Sequence, residues 1–431
     1  MAMRMRLGTR GRTGLIALAL LLVAGLLAAA CRGVQQTRPA STRRPAMAGP
    51  TLAPTVILLS LDGWRWDYHT KTALPHLQRL IDGGVRAEAL IPAFPSKTFP
   101  NHYSIVTGLY PGHHGVLGNN MVDATIGRRF ALWDREQVGN AAWWGGEPLW
   151  VTVTRQRRLA GALFWPGSEA AIGGVRPAEW ALYDETLSND RRVDRLLGWL
   201  DRPVERRPVL LLTYFSDADD AGHRFGPDSP QLIAALQRVD RAIGRLMAGL
   251  DRRHLTDQVN VVLVSDHGMT AASRDRVIVL SDYLDLARVD VVELTPNLAI
   301  LPTGTSEDDV YRRLHGAHPH LRVYRKAESP EAWRFRSHPR VPPIIGVADD
   351  GWTIVRRPLT PTDAVSLGQH GYDPEVTAMR GLFVARGPAF RRGVIVPAFE
   401  NVHIYDVLSR VLGVEPASND GDPAIAASLL R

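Results

Sequence analysis

Apolar positions along this chain come in two kinds of run: short continuous bursts, and longer stretches where they recur every three or four residues. The first burst in the body of the chain is Thr55-Val56-Ile57-Leu58-Leu59-Ser60-Leu61, closed by Asp62-Gly63. A continuous apolar run closed by a turn pair predicts a strand buried on both faces. Residues 208–215, 259–264 and 381–385 have the same character. The periodic kind is clearest after Ser229-Pro230, a capping hydroxyl followed by a proline for the first helical turn. There Leu232, Leu236, Val239, Ile243, Leu246 and Leu250 form a core-facing stripe. Strands alternating with such helices predict an α/β fold, a doubly wound, mostly parallel sheet sandwiched by helices. Residues 285–365 are irregular and Pro-rich and are read as a small inserted lobe.

The N-terminus departs from this pattern. Arg4, Arg6, Arg10 and Arg12 precede an apolar run, Leu15 to Ala30, that ends at Cys31. A charged start, a short apolar stretch and small residues at its end describe a secretory signal over residues 1–31. The run is shorter than the ~20 residues of a spanning helix; an uncleaved anchor is the other reading. Cys31 is the only cysteine, so no intramolecular disulfide can form. Placed after Ala28-Ala29-Ala30, it resembles the lipidated cysteine of a bacterial lipoprotein, with ordinary signal cleavage as the alternative. Residues 32–54 suit a flexible tether, and an exported protein, periplasmic or lipid-anchored to a membrane, is expected.

Composition changes little: 45% hydrophobic and 22% charged residues describe an ordinary globular chain. Residues 1–31 carry four of the positive charges and no acid, which reduces the net charge from +7 to +3 without them. No basic stripe interleaved with aromatics appears, so nucleic-acid binding is not expected. A small-molecule substrate and a monomeric state are.

Candidate chemistry sits where strands end. Asp62 and Asp266-His267 each follow a predicted strand, and Asp219 follows a third. In open α/β sheets that edge binds ligands. Asp219 and His223 lie four apart; Asp217 and Asp220 compete with Asp219 for the same role, and only the spacing to His223 separates them. With His370 these residues make six oxygen and imidazole groups, a set suited to two zinc ions with positions left for substrate oxygens. His315, His318 and His320 cluster without a strand-end carboxylate, and His113-His114, flanked by Gly112 and Gly115, are read as a turn. Phe94 to Tyr103 reads as a loop entering a helix, with Thr98 capping it and Pro100 in its first turn. A helix N-terminus offers N–H groups and partial positive charge to a phosphate.

The stretch Pro95-Ser96-Lys97-Thr98-Phe99-Pro100-Asn101-His102-Tyr103, with Thr107-Gly108-Leu109-Tyr110-Pro111 after it, resembles the ectonucleotide pyrophosphatase/phosphodiesterase family of the alkaline-phosphatase superfamily. Trp143-Trp144-Gly145-Gly146-Glu147-Pro148, Phe164-Trp165-Pro166-Gly167-Ser168, Ser265-Asp266-His267-Gly268-Met269 and His370-Gly371-Tyr372 extend the likeness over residues 55–415. The resemblance implies a two-zinc nucleotide pyrophosphatase and phosphodiesterase that releases nucleoside monophosphates through a phosphothreonine on Thr98. It implies that Asp219, His223 and His370 hold one zinc, and that Asp62, Asp266 and His267 hold the other, which also binds Thr98. Asn119 would stabilise transition-state charge, and Phe99 and Tyr183 would sandwich a nucleobase. The chain departs from the family at Asp217-Ala218 and at Asp184-Glu185-Thr186, which bears on substrate choice. The alternatives are a phosphomonoesterase or choline-type phospholipid phosphodiesterase on the same core, or a surface lipoprotein without catalysis. No Lys or Arg pair for a dianionic phosphate stands near the motifs, although Lys97 is close in sequence.

Overall fold

The computed structural model describes residues 52–431. The expected leader, Cys31 and residues 32–51 of the tether lie outside the described residues. Eight strands build the main sheet: β1 (Thr55–Leu61), β2 (Val85–Ala87), β3 (Ala160–Leu163), β4 (Glu179–Ala181), β5 (Leu210–Phe215), β6 (Val259–Val264), β7 (Phe383–Arg386) and β8 (Val394–Val396). Their order is β8-β2-β7-β6-β1-β5-β3-β4. At the centre β1 runs parallel to both β5 and β6, with Leu58 opposite Leu212 on one side and Val262 on the other. Only β7 runs against its neighbours. The sheet is therefore mixed but mostly parallel, as the continuous apolar runs predict.

Alternate residues of β1 serve opposite cores. Val56 and Leu58 join a layer that contains Trp143, Trp150 and Leu408. Ile57, Leu59 and Leu61 join a second layer with Leu236, Val239, Ile243 and Leu246. That second layer is supplied by the long helix Pro230–Arg252, where Ser229 accepts a hydrogen bond from the Leu232 N–H at 3.1 Å and so caps the first turn. Both faces of the sheet are covered, which is why its central strands carry no charged residue.

The segment expected to be irregular is more ordered than its proline content suggests. It holds a four-stranded antiparallel sheet, in the order Val289–Glu293, Asn297–Pro302, Ile344–Ala348 and Leu321–Arg325. Leu298, Ile300, Val310, Leu314 and Ile344 give this lobe a core of its own. Its strands are five or six residues long and lie among Pro296, Pro302, Pro342 and Pro343, so composition hid them. No helix among the described residues is long and apolar enough to cross a membrane.

Candidate active site

Three helices matter beside the sheet: α1 (Thr98–Thr107), α2 (Asp217–Phe225) and α3 (Pro230–Arg252). Because β6, β1 and β5 are adjacent and parallel, their carboxyl ends lie side by side. Asp62 follows β1 directly, Asp266 follows β6, and α2 begins just beyond β5. Asp219 is thus in the first turn of a helix rather than in a strand-end loop, where the helix N-terminus favours a carboxylate. His223 stands one turn further on the same face, its Nε2 3.4 Å from Asp219 Oδ1. The competing acids are occupied elsewhere. Asp217 accepts from Asn189 and Arg238, and Asp220 from Ser216.

His370 arrives from the loop after the lobe, with Nε2 3.6 Å from Asp219 Oδ1. Single ligating atoms of Asp219, His223 and His370 all lie within 4.8 Å of one another, and those of Asp62, Asp219 and His267 do the same. Asp219 stands in both groups. Asp266 adjoins the second, with Oδ2 3.0 Å from His267 Nε2 and Oδ1 accepting from the Gly63 N–H at 3.2 Å. The histidines share one orientation. Nδ1 of His223, His267 and His370 donates to the carbonyls of Gly368, Gly268 and Ser96 at 2.8, 2.9 and 2.9 Å. Each Nε2 lone pair is therefore directed into the site, as metal-binding imidazoles require.

The donor set fits metal ions. Asp62 Oδ1, Asp219 Oδ1 and Asp266 Oδ2 are buried and accept no hydrogen bond, an arrangement that costs free energy unless a cation is present. Burial, with Asp266 and Asp219 beside it, pushes the Asp62 carboxyl well above the usual carboxylate range. Burial raises Asp219, but His223, His370 and His267 together outweigh it and hold that carboxyl at about 2. Tyr214 donates its hydroxyl to Asp62 Oδ2, which leaves Oδ1 as the oxygen free to bind.

Thr98 is the first residue of α1, and Lys97, extended, holds the capping position. The expectation that Thr98 caps the helix is displaced by one residue, because its hydroxyl faces His267 instead: Oγ1 is 3.3 Å from Nε2. His102, one turn on, was not anticipated as a site residue, although its spacing from Thr98 could have signalled it. Its Nδ1 donates to Thr98 O at 2.8 Å and lies 3.3 Å from Asp266 Oδ2, while Nε2 meets Ser60 Oγ at 2.7 Å. Asn119 Oδ1 accepts from the Phe99 N–H at 3.1 Å, which directs its amide NH2 toward the cavity.

The cavity in front of Thr98 has a volume of about 320 Å³. Phe99 and Tyr183 both line it, together with Leu132, Val138, Pro166 and the ligand candidates Asp62, Asp219, His223 and His370. Phe99 is braced by Phe130 and Trp144, at ring distances of 5.7 and 6.0 Å, and Tyr183 by Phe164 at 5.3 Å. Glu169, also missed, fixes the Tyr183 end, accepting from the Tyr183 N–H at 2.9 Å and pairing with Arg135. Lys97 does not line the cavity. A larger open groove of about 1040 Å³ runs along α3 and shares only Ser216 and Asp220 with this cavity. It contains none of the six ligand candidates, so the smaller cavity is the site.

His113, His114 and His320 are engaged outside the site. His113 and His114 lie in one helical turn, Pro111–His114; His113 pairs with Asp420, and His114 is buried against Ser104. His320 stacks on Trp352 and pairs with Asp349. Among the described residues, metal-type clusters occur only at the site above.

Residues 56–373 match the profile of the family described as type I phosphodiesterase / nucleotide pyrophosphatase. The chain is 38% identical over 371 residues to a bis(5'-adenosyl)-triphosphatase of Xenopus laevis, covering 85% of this chain and 80% of that one. It is 36% identical over 367 residues to ectonucleotide pyrophosphatase/phosphodiesterase family member 5 of Homo sapiens, covering 85% and 76%. The solved structure of the murine member 5, as an inactive threonine-to-alanine variant in complex with AMP, superposes with a TM-score of 0.84. It has 36% sequence identity and covers 88% of this chain and all of that one.

Proposed function

The chain belongs to the type I phosphodiesterase / nucleotide pyrophosphatase family, and from that premise we propose that it hydrolyses phosphodiester or pyrophosphate bonds of nucleotides with two zinc ions. The observation that carries this reading is the convergence of two carboxylate–imidazole groups beside the Thr98 hydroxyl, with three buried carboxylate oxygens lacking partners. Asp219, His223 and His370 would hold one ion, and Asp62, Asp266 and His267 the other. Zinc bound there would supply positive charge that lowers the pKa of a hydroxyl and neutralises phosphate oxygens.

The chain's own residues do the rest. Thr98 Oγ1 attacks phosphorus in line with the departing oxygen; the new P–O bond forms as the bond to the leaving group breaks. Its proton is lost to solvent, because the His267 Nε2 that faces Thr98 Oγ1 would be occupied in holding the ion. The Asn119 NH2 and the Thr98 backbone N–H take up the charge that grows on the non-bridging oxygens, the kind of term worth most in such reactions. Water then cleaves the phosphothreonine and releases a nucleoside 5'-monophosphate. Phe99 and Tyr183 receive the nucleobase, which suits any base because each has a face to stack. The AMP complex of the murine relative supports a nucleotide as the ligand. Against a phosphomonoesterase stands the lack of a cation at the metal end: Lys97 points away, to Thr295 O at 2.7 Å.

Zinc content per chain, together with EDTA-sensitive hydrolysis of p-nitrophenyl thymidine monophosphate against p-nitrophenyl phosphate, tests the proposal. It expects two zinc ions, a strong preference for the diester, and more residual activity in Thr98→Ser than in Thr98→Ala. A protein indifferent to chelation, or equal loss in both variants, refutes it.

A further inference from the structure

A lysine directly before the nucleophile invites the reading that it binds phosphate, yet its contacts lead elsewhere. Lys97 is buried, and its Nζ donates to Thr295 O at 2.7 Å and stands 3.5 Å from Glu293 Oε1. Both partners belong to the lobe. Glu293 ends the strand Val289–Glu293, at a point where pairing with the next strand slips between Val291 and Glu293. Such an irregularity re-aims a side chain, and here it sends the carboxylate into the main domain.

The same carboxylate holds a second active-site segment. The Asn120 N–H donates to Oε2 and the Asn120 side-chain amide to Oε1, both at 3.2 Å. Gly118 completes the fit, since a Cβ at that position would stand 3.0 Å from Glu293 Oε2. One buried carboxylate, 7% exposed, thus joins the residue before Thr98 to the residue after Asn119. The lysine stem also lies against the loop of His370, where a Cβ on Gly371 would come within 2.9 Å of Lys97 Cε.

We infer that Glu293 is a positioning residue that sets the separation between the Thr98 hydroxyl and the Asn119 amide across the phosphate. The inference rests on the phosphodiesterase reading of the site. Its physical basis is the geometry that transition-state stabilisation demands: a donor must already stand where charge will develop. Asn119 itself makes one side-chain bond, to the Phe99 N–H, and one backbone bond, from the Leu132 N–H to its carbonyl at 3.0 Å, so how the adjoining Asn120 is held contributes to its placement. A charge-assisted, buried carboxylate is the strongest clamp available for that purpose. Substrate is held in the ground state by the base slot and the metal ligands, none of which Glu293 touches, so its loss falls on kcat rather than KM.

Glu293→Ala removes both bonds to Asn120 and the counter-charge of Lys97; Glu293→Gln keeps one acceptor for Asn120. With p-nitrophenyl thymidine monophosphate we expect kcat to fall about 10- to 100-fold in Glu293→Ala and less in Glu293→Gln, with KM and bound zinc near wild type. The discriminating measurement is the cycle with Asn119→Ala. A residue that acts through Asn119 costs little once Asn119 is gone, so the losses should be strongly non-additive. Should Glu293→Ala not fold, Glu293→Gln and Asn120→Ala carry the same cycle. Wild-type kcat, fully multiplicative losses, or loss of zinc in the Glu293 variants overturns the inference while leaving the phosphodiesterase reading intact. A wild-type chain that does not cleave the diester defeats both.

Discussion

Gly63 is the point where two ligand-bearing segments touch, and replacing it measures how closely the site is built. The residue follows Asp62, has φ +61°, and donates its N–H to Asp266 Oδ1 at 3.2 Å. A Cβ there would stand 2.9 Å from Asp219 Cα and 3.0 Å from Asp219 Oδ1. Gly63→Ala therefore carries two separable penalties. The left-handed backbone costs an alanine about 1–2 kcal/mol, a change of only a few degrees in melting midpoint for a chain of this size. The contact costs more where it matters. Carbon atoms settle at roughly 3.5–4.0 Å, so the α2 backbone must retreat by about 0.5–1 Å, and Asp219 moves with it away from Asp62. A misplacement on that scale is worth up to about 100-fold in rate. Gly316→Ala isolates the first penalty, because Gly316 has φ +69° and nothing within 4 Å of its Cβ position. Steady-state hydrolysis of p-nitrophenyl thymidine monophosphate, zinc per chain and urea denaturation on both variants decide the matter. We expect similar losses of stability but a fall of about 30- to 100-fold in kcat/KM only for Gly63→Ala. Equal activity in the two variants would refute the argument that Asp62 and Asp219 are held in contact through Gly63.

Two further outcomes are expected. Tyr183→Ala removes one side of the proposed base slot, and since stacking on an aromatic is worth about 1–3 kcal/mol, kcat/KM for the thymidine diester should fall roughly 5- to 150-fold. Bis(p-nitrophenyl) phosphate, which has no base, should change little, and parallel losses would remove the slot from the mechanism. The second concerns acid stability. Burial, with His338 nearby, lowers the His114 imidazole to about 3; its Nδ1 accepts the Val116 N–H at 3.1 Å, so protonation would break a buried bond. The unfolded chain takes up that proton near pH 6.5 and the native one does not. Stability therefore falls as pH drops from about 6.5 toward 3, by about 1.4 kcal/mol per unit from this residue. Urea titrations between pH 7 and 4 should find a shallower dependence in His114→Gln, and an unchanged slope would reject the assignment.

What the residue pattern made legible, and what it did not, divides along a physical line. β1 and β6 begin and end at the residues their apolar runs mark, and α3 extends only two residues beyond its stripe, because burial on two faces or along one stripe leaves a direct imprint on composition. The edge strands β2, β4 and β8 have three residues each, too few to impose a period. The longer strands of the lobe were obscured instead by the prolines among them, Pro296, Pro302, Pro342 and Pro343. Site residues identified by local spacing, such as Asp219 with His223, lie where helical geometry puts them, and His102 could have been found by the same rule from Thr98. Residues that act through a distant partner leave no such trace. Tyr214 meets Asp62 across 152 positions and Glu293 meets Asn120 across 173, and only the packing of β1 beside β5, or of the lobe against the loop of Asn119, creates those pairs. Asp219 joins the two kinds. Spacing to His223 is all that separated it from Asp217 and Asp220 in the sequence, yet in the fold it is the carboxylate common to both clusters. Its neighbours could be told apart only once their hydrogen bonds were known, since Asp217 and Asp220 are satisfied by Asn189, Arg238 and Ser216 while Asp219 Oδ1 has no partner. An unsatisfied buried carboxylate oxygen beside imidazole nitrogens, which Glu169 Oε2 lacks, is thus the more discriminating sign of a metal position here, and it belongs to the folded chain alone.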